Sequence, residues 1–310
     1  MIENRDEAAA SHSPDDEFRF LSGDAARVAR STPLPEVRRE SVTMADGRRL
    51  SVLSWVPDAP PRFAFVHGVG LNAHGYDPTI LALDVPAIAI DLAGHGRSDW
   101  RDDASYRPDL LAPDIAQVLA ERASEPLVLV GHSLGGMTSI LTAAANPGTI
   151  SHLVVIDITP GMVTQAGASS VFEFIRGKRD FASLDEMVDR AIDFGIGSDR
   201  AALMRGVALN SRRRQDGRYE WTHHLAHLDA MPVASADPQP FAPIWQALDA
   251  VAAAGVPITL IAATNGIVTA DMREEWDARL PDSRVIVIEG PHNLHEAAPV
   301  ELAEALRKLL

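Results

Sequence analysis

"LVLVGHSLGG", Leu127–Gly136, decides how the rest of the chain is read. Four apolar residues run into Gly131-His132-Ser133-Leu134-Gly135, and an Ala- and Leu-rich stretch follows at once. A strand, a small-x-Ser-x-small turn and a helix in that order make a nucleophile elbow, a turn so tight that a Cβ at the flanking positions would clash. The serine backbone is forced into a sparsely populated conformation, and its hydroxyl stands clear of the sheet at the positive end of the following helix. That context, more than the G-x-S-x-G spacing itself, marks Ser133 as a candidate nucleophile.

Outward from the elbow, "RFAFVHG", "PAIAIDLAG" and "HLVVIDITP" are short apolar runs of the same kind, each bounded by Gly or Pro. "RPDLLAPDIAQVLAERA" has helical spacing, with Pro113 expected in a first turn, and "LGGMTSILTAAANPG" ends in a Pro-Gly stop. Continuous apolar strands alternating with helices predict an α/β fold whose mostly parallel central sheet is covered on both faces. Further upstream, "RRESVTMADGRRLSVLSWV" alternates apolar and polar residues around "ADGR", the pattern of a half-exposed hairpin.

The rhythm breaks near Gly161 and resumes with "PITLIAAT", "DMREEWDARL", "SRVIVIEG" and "PVELAEALRKLL". Residues 37–160 and 248–310 are therefore predicted to form one core. Residues 161–247, read as helical or irregular without a strand, are predicted to form a helical cap, or lid, inserted after the sixth strand. Residues 1–36, rich in Ala, Ser, Asp, Glu and Pro, read as a loosely ordered extension, at most partly helical.

With 46% hydrophobic and 23% charged residues, the 310-residue chain has the composition of a soluble globular protein. A formal charge of −15 opposes approach to nucleic acid or an anionic membrane surface, so neither is expected as a partner. The absence of cysteine excludes disulfides, thiolate nucleophiles and thiolate metal sites. The N-terminus is acidic where a secretory signal is basic, and no apolar run reaches the ~18 residues of a membrane span; the expected location is the cytoplasm.

Taken with the elbow, "FVHGVGLNAHGYD", "IDLAGHGRSD" and "GPHNLHEAAP" stand in an order that resembles the α/β-hydrolase fold superfamily from about Val37 to Leu310. The resemblance implies that the backbone N–H groups of Val69, after His67-Gly68, and of Leu134 hold an oxyanion, and that His292, just past "VIVIEG", is the base. His295 is its nearest competitor. His67, His95 and His132 fall in loop motifs where the resemblance implies turn shaping and packing.

The family usually has a carboxylate just past the "PITLIAAT" strand, where this chain has Asn265 and Gly266. Asn265 could orient an imidazole without supplying charge. Asp271, in "TADMREEW", reads as a helix N-cap. Asp157 ends the strand after the nucleophile helix, where parallel order puts it beside the elbow. The pattern of an apolar strand followed by Asp-Ile-x-Pro, 24 residues beyond Ser133, resembles an esterase subset in which this Asp is the triad acid.

By resemblance, then, the chain is expected to be a serine hydrolase that cleaves a small or medium carboxylic ester through a Ser133-His292-Asp157 acyl-enzyme mechanism, with no metal or organic cofactor. Thioesters and lactones are within reach of the same chemistry. Carbon-carbon cleavage of a ring-cleavage dienoate is an alternative, although that group commonly has "GNS" where this chain has "GHS". A non-catalytic binding protein on the same fold is a third. Candidates for substrate contact are His67, Arg212 in its run with Arg213 and Arg214, and Trp221. Phe172, Phe174, Phe181 and Trp245 could wall an apolar pocket or simply pack. "HHLAH", His223 to His227, has i, i+4 spacing but no evident third metal ligand, so packing or substrate contact is the preferred reading.

Overall fold

The computed structural model describes residues 17–162, 177–194, 196, 199–228 and 241–310. In chain order the elements are α1 Leu21–Arg27, β1 Val37–Thr43, β2 Arg49–Trp55, β3 Phe63–Val66, α2 Asp77–Leu83, β4 Ala87–Ile90, α3 Pro108–Arg122, β5 Leu127–His132, α4 Leu134–Ala145 and β6 Ile150–Ile156. After these come α5 Leu184–Asp193, α6 Arg200–Asn210, β7 Ser211–Arg213, β8 Tyr219–Trp221, α7 Ile244–Ala253, β9 Ile258–Asn265, α8 Ala270–Arg279, β10 Arg284–Pro291, α9 Leu294–Ala297 and α10 Pro299–Arg307.

One sheet of eight strands, in the order β1-β2-β4-β3-β5-β6-β9-β10, forms the centre. From β4 to β10 every neighbouring pair is parallel, and β2 alone runs against its neighbours. The hairpin read around "ADGR" is present in that register, Val37 opposite Trp55 and Thr43 opposite Arg49. Period-2 alternation sends successive strand residues to opposite faces. Trp55, Phe63, Phe65 and Val130 pack with Leu21 of α1, Ile80 of α2 and Leu302 of α10. Val52, Val66, Leu129 and Leu153 pack on the other face with Leu111 of α3, Met137 of α4 and Trp276 of α8. Both faces are covered, so the strands read as unbroken apolar runs.

Several local expectations are corrected. Pro113 lies inside α3 and not in its first turn, because Pro108 already occupies the helix start. The stretch between β6 and α7 contains a two-stranded antiparallel ribbon, β7 with β8, joined through Gly217 at φ 84°. Its own small core gathers Phe181, Met187, Val188, Val207 and Trp221. Trp245, read as pocket wall or packing, belongs to the main core beside Trp276, their ring centroids 5.8 Å apart. Helix α7, which starts at Ile244, therefore joins the core before residue 248.

Nor is the described part of residues 1–36 loose. Leu21 and Val28 are buried against the sheet, and Asp24 meets Arg205 of α6, whose Nε donates to Asp24 Oδ1 at 2.7 Å. The same guanidinium donates to the His74 carbonyl at 3.0 Å and to Asp77 Oδ2 at 3.2 Å. Both carboxylates and the arginine are buried, so one cation ties the N-terminal segment, the core and the insertion together. Removing it would leave buried Asp24 without its hydrogen-bonded cation beside Asp77, which among the described residues keeps only His74 Nδ1 at 2.8 Å, a loss of about 3–5 kcal/mol. Arg205→Met is accordingly expected to lose that much stability in urea unfolding; a loss under about 1 kcal/mol would show that this network does not fasten the three parts.

Candidate active site

Ser133 sits between β5 and α4 at φ 53°, ψ −119°, a region that L residues rarely adopt. Two things over-determine the strain. Its N–H donates to the Ile156 carbonyl of β6 at 3.2 Å. A Cβ on Gly131 or Gly135 would collide with backbone, the Gly135 carbonyl in the first case and the Val66 carbonyl in the second. Leu134 is the first residue of α4, where an N–H has no acceptor within the helix. The loop after β3 closes on the same point, since a Cβ on Gly68 would lie 3.1 Å from Ser133 Cβ, and Val69 follows directly. That loop is fixed by Asn72, whose Oδ1 accepts the His74 N–H at 2.9 Å, and by buried Asp91, whose Oδ1 accepts the Ala73 N–H at 2.7 Å.

Asp157 follows β6 at φ 48°, and its side chain is wholly buried. Aspartate tolerates this left-handed backbone better than most residues because its short polar side chain can bond locally. Its Oδ1 accepts the Ala263 N–H at 3.0 Å and its Oδ2 the Ile267 N–H at 2.8 Å. His292, in the loop after β10, donates from Nδ1 to Asp157 Oδ2 at 2.7 Å, with 29% of its side chain exposed. That bond fixes the imidazole tautomer with Nε2 free to accept a proton.

Gly266 explains why the usual carboxylate position is empty. A Cβ built there would overlap Oδ1, Cγ and Oδ2 of Asp157. The carboxylate from the end of β6 occupies the volume that a side chain at 266 would need, so the two positions exclude each other. In the sequence alone Gly266 supplies nothing at the usual acid position, and the acid is assigned to Asp157 from its own strand end. The signal of the relocation is the pairing of Asp157 with a residue that lacks a Cβ.

Other candidates are placed elsewhere. His67 is fully buried with both ring nitrogens engaged: Nδ1 donates to the Gly68 carbonyl at 2.8 Å and Nε2 accepts the Leu92 N–H at 3.0 Å. It holds the turn and has no group left for substrate. Arg212 is on the exposed ribbon, paired with Glu220 at 2.7 Å, and Arg214 pairs with Asp216 at 2.8 Å; both are solvated surface charges. Trp221 lies in the small core of the insertion, edge-on to Phe181 with centroids 5.8 Å apart. Phe172 and Phe174 lie outside the described residues.

"HHLAH" forms a short 3-10 helix, His224–His227, which removes the i, i+4 alignment on one face. His224 stacks on Trp100 at 4.1 Å and bonds through Nδ1 to the Tyr106 hydroxyl at 2.6 Å, while His227 Nε2 donates to the Trp221 carbonyl at 2.8 Å. The His224 contacts dock the insertion on the loop after β4. Asn72 docks it on the loop after β3 through the Leu209 carbonyl at 2.7 Å. Both attachments are at the end of the sheet that carries Ser133 and Asp157. Asp271 is in the first turn of α8, but the N-cap is Thr269, which accepts the Met272 N–H at 3.3 Å. His295 is buried in α9, where desolvation and then the neighbouring His292 lower its pKa to about 3.

Comparison with known proteins adds to this geometry. A model of the alpha/beta hydrolase family matches residues 63–305. The esterase Rv0045c of Mycobacterium tuberculosis is 36% identical over 303 residues, which cover 95% of this chain and 96% of that protein. A solved structure of the same M. tuberculosis esterase is similar with a TM-score of 0.81 at 34% identity, covering 94% of this chain and 98% of the other. An alpha/beta hydrolase from Novosphingobium aromaticivorans shares the fold, with a TM-score of 0.74 at 20% identity over 90% of this chain and 100% of that one.

Proposed function

The chain belongs to the alpha/beta hydrolase family, and on that premise we propose that it is a carboxylic ester hydrolase working through Ser133, His292 and Asp157. The observation that carries the reading is the 2.7 Å bond from His292 Nδ1 to a buried Asp157, at the strand end next to the one that delivers Ser133. The likeness to an esterase along nearly its whole length supports the same reaction class.

In this mechanism His292 Nε2 takes the Ser133 proton as Oγ attacks the ester carbonyl. Asp157 stabilises the imidazolium and remains ionised. Its charge is already satisfied by two backbone amides, so it need not reorganise during the reaction. The oxyanion is held by the N–H groups of Val69 and Leu134, each worth about 3–4 kcal/mol to the transition state. The imidazolium then protonates the leaving alcohol, and water, activated by the same imidazole, releases the acid from Ser133. The insertion, as a cap over the strand ends, would bound the substrate, which we place among small and medium carboxylic esters.

A fluorophosphonate ester tests the assignment. One equivalent is expected to abolish hydrolysis of a chromogenic ester and to leave its adduct on the peptide carrying Ser133. An adduct on another residue, or full activity with Ser133 modified, would overturn it.

A further inference from the structure

We propose that His132, beside the nucleophile, is a positioning residue for the base, fastening the main chain of His292 to the elbow through its Nε2–H. The proposal rests on the reading of Ser133 and His292 given above. His132 ends β5, is 1% exposed, and donates from Nε2 to the His292 carbonyl at 3.0 Å. That carbonyl also accepts the Leu294 N–H at 3.1 Å. The loop carrying the base is thus held from its own chain on one side and from the residue preceding Ser133 on the other. The two rings lie with centroids 4.4 Å apart at 46°. β10 is an edge strand paired on one side only, up to Pro291 opposite Asn265, so past Pro291 the base is placed by these main-chain bonds together with its side-chain bond to Asp157.

The other ring nitrogen makes the donor role specific. Because Nε2 faces a carbonyl it must carry the proton, which leaves Nδ1 as a bare lone pair. Nδ1 is buried with no hydrogen-bond partner among the described residues, and it abuts the oxyanion loop, where a Cβ on Gly68 would stand 2.7 Å away. A second proton on Nδ1 would find no acceptor. Burial first, and then the neighbouring His292 and His295, hold the pKa of His132 well below that of a free imidazole. His132 therefore stays neutral, in one tautomer, while the adjacent His292 passes through its cationic state. One proton on Nε2 does the fastening, and the ring never competes for the proton that His292 must accept.

The test compares His132→Gln with His132→Asn. A glutamine amide can reach the position of Nε2 and donate to the His292 carbonyl; an asparagine amide reaches only that of Nδ1. On a chromogenic ester, His132→Asn is expected to lose about tenfold or more in kcat with KM within about twofold of wild type. His132→Gln is expected to recover to within about threefold of wild type. Equal losses in the two variants, or no loss in either, would overturn the proposal. Phosphonate modification of the wild-type chain separates this from the underlying assignment: if Ser133 is modified and the variants behave alike, only the role of His132 falls, whereas if Ser133 is not modified the triad reading falls with it.

Discussion

Gly266→Ala is expected to lower kcat by at least ~10²-fold, although residue 266 contributes no side chain to the reaction. The reason is space. The added methyl would overlap Oδ2, Cγ and Oδ1 of Asp157, so the wholly buried carboxylate has to leave its place. A displaced carboxylate leaves His292 Nδ1 without its acceptor and strips the Ala263 and Ile267 amides of theirs. An amide left buried and unpaired, as that of Ala263 would be, costs about 1–3 kcal/mol, so melting temperature should fall together with kcat. The two substitutions act on one contact and should not be additive: adding Gly266→Ala to Asp157→Asn is expected to change kcat little beyond Asp157→Asn alone. Near wild-type kcat in Gly266→Ala would mean that the carboxylate does not need the volume it fills.

What the sequence discloses and what it hides follow from range. The elbow is legible because strand, glycine turn and helix are contiguous, and the parallel sheet because apolar runs of four to seven residues alternate with helical spacing in a regular order. Asp157 is legible through the local run "IDITP", together with the parallel order that brings its strand end beside Ser133. Contacts between distant residues leave no local trace. Arg205 and Asp24 are 181 positions apart, and neither stands out among the charged residues around it, so the docking of residues 17–30 is invisible until the chain is folded. The ribbon from Ser211 to Trp221 escapes because its strands are three residues long, too short for alternation to show. Arg212 and Trp221 are candidates for substrate contact by residue type and by their place in the insertion, and neither signal separates contact from surface or packing. An arginine run is more often a solvated face, and a tryptophan is large enough to become the centre of a small core.

Relocation of the acid is the claim on which the rest depends, and kcat in Asp157→Asn tests it most directly. An amide at 157 keeps the size of the side chain but not its charge. To accept from the His292 Nδ1–H, and with it from the Ile267 N–H that shares that oxygen, it must turn its amide nitrogen toward the backbone N–H of Ala263, a donor against a donor. If instead its oxygen serves Ala263, its NH₂ faces both the Ile267 N–H and Nδ1, and favours the tautomer with the proton on Nε2, which cannot take the serine proton. Either outcome also removes the negative charge that stabilises the imidazolium. With the same chromogenic ester, and with Asp271→Asn measured alongside as the carboxylate nearest in sequence to the usual position, kcat of Asp157→Asn should fall by ~10⁴ while Asp271→Asn stays within about twofold of wild type. A kcat for Asp157→Asn within about tenfold of wild type, or a large loss in Asp271→Asn instead, would contradict it.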